Sequence, residues 1–144
     1  MLNMSKVERL LQKLIEKTKE KEIVWTTVPE YLEKTKNESL RRYIINNHKY
    51  FYDWQDGDAR KYLDEAKCAC VEILGGLIMV FVYEIFESRE KSKSYSLAIQ
   101  SKIGGVVEEI PSSDYQITLE RLYKFSGAVG IKTEDYIDWV INDL

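Results

Sequence analysis

Ile73-Leu74-Gly75-Gly76-Leu77-Ile78-Met79-Val80-Phe81-Val82-Tyr83 sets two adjacent glycines inside the most apolar run of the chain. Two glycines in succession reach the positive φ values of a type I′ turn without a Cβ clash. Residues 66–74 and 77–86 are therefore predicted to fold back on each other as an antiparallel hairpin. The run after the turn is apolar on both strand faces, as a central strand covered on both sides requires.

Outward from the hairpin, Tyr95, Leu97 and Ile99 alternate with Ser96, Ala98 and Gln100. That period of two marks a strand with one buried face. The polar stretch 87–94 reads as an exposed hairpin loop, and Gly104-Gly105 as a turn into a last strand at 106–110. Short connections make a meander the economical topology. Upstream, Ser5-Lys6-Val7-Glu8 is a capping-box pattern, and Val7, Leu10, Leu11, Leu14 and Ile15 recur at helical spacing. Residues 23–28 are β-branched and aromatic and are closed by Pro29, which predicts an edge strand. Two short helices are expected across 30–48, the second capped by the box Thr35-Lys36-Asn37-Glu38. Near the C-terminal end, Ser113 is expected to cap a helix whose Gln116 closes the box and whose Tyr115, Leu119, Leu122 and Tyr123 share a face. Gly127 ends that helix, and Thr133 starts another with Tyr136, Ile137, Val140, Ile141 and Leu144 expected on its inner side. Residues 1–144 thus read as a single α+β domain. Its sheet is an antiparallel meander of about four strands plus an N-terminal edge strand, packed with N-terminal and C-terminal helices.

A net charge of −3 argues against wholesale electrostatic capture of nucleic acid, which needs a basic surface to release counterions. A row of Lys6, Arg9, Lys13, Lys17 and Lys21 on the first helix, with Arg41-Arg42 taken as nearby, is diluted by glutamates. Nucleic acid is therefore not the expected partner. Cys68 and Cys70 are the two cysteines, and with the single His48 they cannot complete a tetrahedral zinc site. They read as buried, reduced core thiols of a reducing compartment. Met1-Leu2-Asn3-Met4-Ser5-Lys6 lacks the apolar core of a secretory signal, and the longest apolar run is shorter than the ~18 residues that span a bilayer. A cytoplasmic protein with no membrane partner is the expectation.

No catalytic set assembles from these residues. His48 lies in a polar segment outside any nucleophile-base context, and both glycine pairs lie between strands rather than before helices, as turns and not phosphate cradles. Asp53-x-x-Asp56-Gly57-Asp58 departs from the spacing of a calcium loop. No metal site, cofactor or catalytic residue is assigned. Interest falls instead on residues 46–64, where Tyr50, Phe51, Tyr52, Trp54 and Tyr62 crowd around acids. Tyr and Trp supply large, stiff, amphipathic contact area. Tyr50, Tyr52, Asp53, Trp54, Asp56 and Asp58 are accordingly expected to bind a protein partner; the competing reading has these rings cover a sheet face. On the last helix Trp139, beside Asp135 and Asp138, is expected at a homodimer contact.

The order of parts resembles small uncharacterised accessory proteins of low-GC Gram-positive bacteria and their phages or mobile elements. The residues behind this are Leu14-Ile15-Glu16-Lys17-Thr18-Lys19 with Ile23-Val24-Trp25, then Gly75-Gly76-Leu77-Ile78, Tyr95-Ser96-Leu97-Ala98-Ile99-Gln100 and Leu119-Glu120-Arg121-Leu122-Tyr123. The resemblance implies a protein that acts by binding and blocking another, such as an inhibitor of a bacterial defence system. The expected function is a non-catalytic binding protein acting through an acidic-aromatic surface. The alternative is a small-ligand, nucleotide-type binding domain or modest enzyme with a sheet-face pocket lined by Cys68, Tyr83 and Tyr95.

Overall fold

Strand β5 (Gly76–Glu87) runs through the middle of the molecule, and every layer is built on it. The computed structural model describes residues 4–47, 49–54, 57–87, 89–128 and 133–143, with the backbone alone at 4–5, 49–54, 57–59, 135, 139 and 143. In chain order the elements are α1 (Met4–Lys19), β1 (Thr26–Thr27), α2 (Val28–Lys34), α3 (Glu38–Asn47), β2 (Lys49–Trp54), β3 (Gly57–Leu63), β4 (Ala69–Ile73) and β5. After them come β6 (Glu90–Gln100), β7 (Val107–Ile110), α4 (Gln116–Ser126) and α5 (Thr133–Asp143). The fold is α+β, with one antiparallel sheet of seven strands among the described residues.

The expected meander is present: β4 pairs with β5, β5 with β6 and β6 with β7, all antiparallel, and β1 lies at the edge beside β4. A further hairpin, β2–β3, joins the sheet through β3, which pairs with the far half of β5. One edge of β5 therefore carries β4 and β3 end to end, split by a 3-10 turn at Glu65–Lys67. Cys68 fills the break. Its thiol donates to the Asp64 carbonyl at 3.3 Å and accepts the Val82 N–H at 3.4 Å, pairing a strand amide that the interrupted ladder would leave unpaired.

Alternation along β5 sends Leu77, Met79, Phe81 and Tyr83 to one face and Val80 to the other. The first face is covered by α2 and α3 through Val28, Tyr31, Leu32, Leu40 and Ile44. The second is covered by α1 and α4 through Val7, Leu11, Leu14, Ile15, Leu119 and Leu122. Three layers result, and both cysteines are buried on the α2–α3 side.

Several local expectations are corrected. The turn before β5 has Leu74 (φ +50°) and Gly75 (φ +80°) at its centre, because Ile73 pairs with Gly76. Gly76 is there for another reason: a Cβ at this position would lie 2.9 Å from the Gln100 carbonyl oxygen. The segment 23–28 is a strand only at Thr26–Thr27, since Trp25 turns into the core to donate to Thr18 Oγ1 at 2.9 Å and Pro29 sits in the first turn of α2. The stretch 87–94, expected as a loop, is strand at Glu87 and at 90–94; β5 and β6 pair out to Glu87 and Glu90, and Arg89 has φ +69°. Its polar character reflects an end of the sheet that projects past the helices, with Arg60, Phe86, Lys91 and Lys93 exposed. Helix α1 already includes Met4 and Ser5, so Ser5 is not its cap. Asn37, not Thr35, caps α3, accepting from the Leu40 N–H at 3.3 Å, while Thr35 Oγ1 donates to the Tyr31 carbonyl at the end of α2. On α5, Tyr136, Ile137 and Ile141 are 51 %, 52 % and 72 % exposed, so the face expected to point inward is open to solvent; Leu144 lies outside the described residues.

Candidate functional site

The β2–β3 hairpin places most of the expected partner-binding residues in one ribbon. Its register sets Tyr50 opposite Lys61, Tyr52 opposite Ala59, Asp53 opposite Asp58 and Trp54 opposite Gly57. Asp56 lies outside the described residues, as do the side chains of the other five. Aromatic side chains favour the extended strand, and β2 carries four of them, Tyr50, Phe51, Tyr52 and Trp54. Next to the ribbon, Tyr62 meets Phe86 edge-on at 5.9 Å between ring centres, and the Lys91 ammonium lies 5.7 Å from the Phe86 ring. Glu84 holds Lys91 at 3.4 Å and Lys67 at 3.7 Å. The projecting end of the sheet is therefore aromatic with charges of both signs, and β2 closes it as the outermost strand.

A second cluster was not visible from sequence. On the α2–α3 side, Tyr43 of α3 and Tyr83 of β5 both donate to the Glu109 carboxylate of β7, Tyr83 at 2.6 Å. The Lys61 ammonium lies 4.3 Å from the Tyr83 ring, within cation–π range. Small side chains at Ser94, Ser96 and Ala98 on the intervening strand β6 leave room for this reach between β5 and β7. Burial, then the hydrogen bond to Glu109, drives both phenols well above the ordinary tyrosine range. They stay protonated, with their protons committed to the carboxylate, so the cluster ties three elements together rather than offering a base. The two thiols behave alike: burial pushes Cys68 and Cys70 up to about 12, far from nucleophilic thiolates at neutral pH.

The pocket of the alternative reading does not form as expected. Tyr83 pairs across from Ser94, and Tyr95 from Val82, so Cys68 and Tyr83 face α2–α3 while Tyr95 faces α1–α4. The sheet itself separates them. The basic row is also divided. Lys17 is held by Glu22 at 2.6 Å, and Arg41, donating to the Leu32 carbonyl at 3.0 Å, belongs to α3 on the opposite face from α1. What Lys6, Arg9 and Lys13 do border is an apolar groove of about 520 Å³ between α1 and the β6–β7 edge. Its floor is Leu10, Leu97, Ile99 and Ile110. Sequence reading missed it because Leu97, Ile99 and Ile110 of the floor come from strands about ninety residues away from the helix that forms its rim.

His48 lies outside the described residues, as do the side chains of Trp139 and Asp135. Among the described residues no group of three or more His, Cys, Asp or Glu side chains is arranged to hold a metal ion, and no helix is long and apolar enough to cross a membrane. No family model, curated protein or solved structure matches this chain.

Proposed function

We propose that this is a non-catalytic protein-binding module that engages its partner through the β2–β3 ribbon. The observation that carries the reading is topological: β2 ends the sheet, and among the described residues β3 is its one strand partner. An outermost strand offers a row of backbone donors and acceptors to an added strand, and side chains at alternate positions give such pairing its specificity. Two further points support it. The register opposes Asp53 to Asp58, and like charges at facing positions are unfavourable in a strand pair, which favours a basic segment as the partner. The groups best suited to covalent chemistry, Cys68 and Cys70, are buried and protonated. The partner proposed for the ribbon is a bacterial protein, such as a defence component.

The test is capture from a bacterial lysate by the native protein beside Tyr52→Ala plus Trp54→Ala. A specific partner held by the native chain and lost by the variant, with the melting curve intact, is the expected result. Equal capture by both sinks the assignment to this ribbon, and no specific partner at all sinks the binding reading.

A further inference from the structure

We propose that the groove beside α1 receives α5 of a second copy of this chain, so that two copies exchange helices about a two-fold axis. Two surfaces with matching chemistry stand open on the same molecule. The groove pairs an apolar floor of Leu10, Leu97, Ile99 and Ile110 with one cationic rim, where Lys6, Arg9 and Lys13 follow one another at helical spacing along α1. Helix α5 supplies the complement. Tyr136, Ile137 and Ile141 are 51 %, 52 % and 72 % exposed and share a stripe with the half-buried Val140. Glu134 and Asp138, one turn apart and exposed, run along one border of that stripe. Thr133–Asp143 contains four acids and no Lys or Arg.

Laid along α1, such a helix puts its apolar stripe on the groove floor and its acidic border against the cationic rim. Charge alone would attract many anions, and an apolar floor alone many greasy surfaces; an acidic amphipathic helix satisfies both. Each copy carries one groove and one α5, so reciprocal exchange closes as a dimer with no surface left to grow a chain.

The reciprocity supplies the experiment. Light scattering of the native chain at tens of micromolar is expected to give twice the 16.9 kDa chain mass. Lys6→Glu plus Lys13→Glu reverses the groove, and Glu134→Lys plus Asp138→Lys reverses the helix. Each variant alone is expected to dimerise at least tenfold more weakly. An equimolar mixture of the two is expected to recover the dimer, because every groove then faces a helix of opposite charge. A native chain of single mass overturns the proposal. So does a reversed variant that dimerises like the native chain, or a mixture that stays monomeric while both variants melt cooperatively. Should the groove variant fail to fold, Ile141→Asp, at an exposed position, reads the same contact, and a dimer indifferent to it overturns the proposal equally.

Discussion

Leu74 occupies a left-handed conformation, φ +50°, with its side chain fully exposed at the tip of the β4–β5 turn. Such a backbone costs an L-residue roughly 1–2 kcal/mol, while Asn tolerates it and Asn-Gly is the preferred type I′ pair. Leu74→Asn is therefore expected to stabilise the protein by about 0.5–1 kcal/mol and to raise its melting temperature by a few degrees. The neighbouring glycine behaves oppositely. Gly76→Ala drives a Cβ to 2.9 Å from the Gln100 carbonyl oxygen and 3.0 Å from that of Ser101, both backbone atoms that cannot step aside. Overpacking of this kind costs about 1–3 kcal/mol. Denaturant titration of the two variants should move the midpoint in opposite directions; a neutral Gly76→Ala would mean that β5 and the 100–101 segment are further apart than described. Gln100 itself is fully buried and spends its amide on Asn37, Ser39 and the Gly105 carbonyl, so a single side chain links the start of α3 to the end of β6.

At the scale of elements, β6 outruns β7, and the sheet guards the exposed part of that edge with a side chain. Gln116, in the first turn of α4, accepts the Tyr95 N–H at 2.8 Å and donates to the Tyr95 carbonyl at 2.6 Å and the Ser112 carbonyl at 3.0 Å. Its amide does what a peptide unit of a neighbouring strand would do. The capping-box role expected of Gln116 is thereby replaced by an edge role, because the 3-10 turn Ser113–Tyr115 brings the side chain round to β6. Gln116→Ala releases three hydrogen bonds, and part of the loss is recovered by water at this half-buried site. The expected cost is about 1–2 kcal/mol, at roughly 1 kcal/mol or less for each bond. Amide hydrogen exchange gives the sharper readout: the Tyr95 N–H should lose protection while Leu97, one alternate position along, keeps its own. Unchanged protection at Tyr95 would show that the edge is not held this way.

Across the whole molecule, the buried acids of high pKa set its response to alkali. Cys68 and Cys70 rise from 9.0 to about 12, mainly through burial, and Tyr95 from 10.0 to about 12 for the same reason; Tyr43, Tyr83 and Tyr123 shift upward too. Each group is neutral when protonated, and its folded value exceeds the unfolded one. Its contribution is therefore complete below the unfolded value and is lost as the pH climbs through the window, since the unfolded chain ionises first. Stability should hold level through neutral pH and fall from about pH 9 toward about pH 12. Thermal melts across this range are expected to flatten when Cys70 is replaced by Ala, after allowance for a constant packing loss. A Cys70→Ala slope equal to that of the native chain would place the alkaline sensitivity elsewhere.

The helical and strand periods were legible in residues 5–19, 95–100 and 115–126 because burial by one face writes itself into local spacing, at 3.6 residues for α1 and α4 and at two for β6, whereas 87–94, with no buried face, read as a loop. Doubly apolar β5 announced its own central place for the same reason, and from it the meander followed. Sequence alone also singled out the acidic-aromatic segment, though not that it would form a ribbon at the sheet's end. Tertiary structure decided what depends on partners distant in the chain. Glu109 meets Tyr43 and Tyr83 across 66 and 26 residues. Cys68 replaces a missing ladder bond to Val82, fourteen residues away. Tyr95 and Tyr83 part to opposite faces because pairing register, not composition, assigns sides. The outer stripe of α5 has an amphipathic pattern like that of any buried helix; periodicity shows that a helix has an apolar side, and packing alone settles what, if anything, covers it.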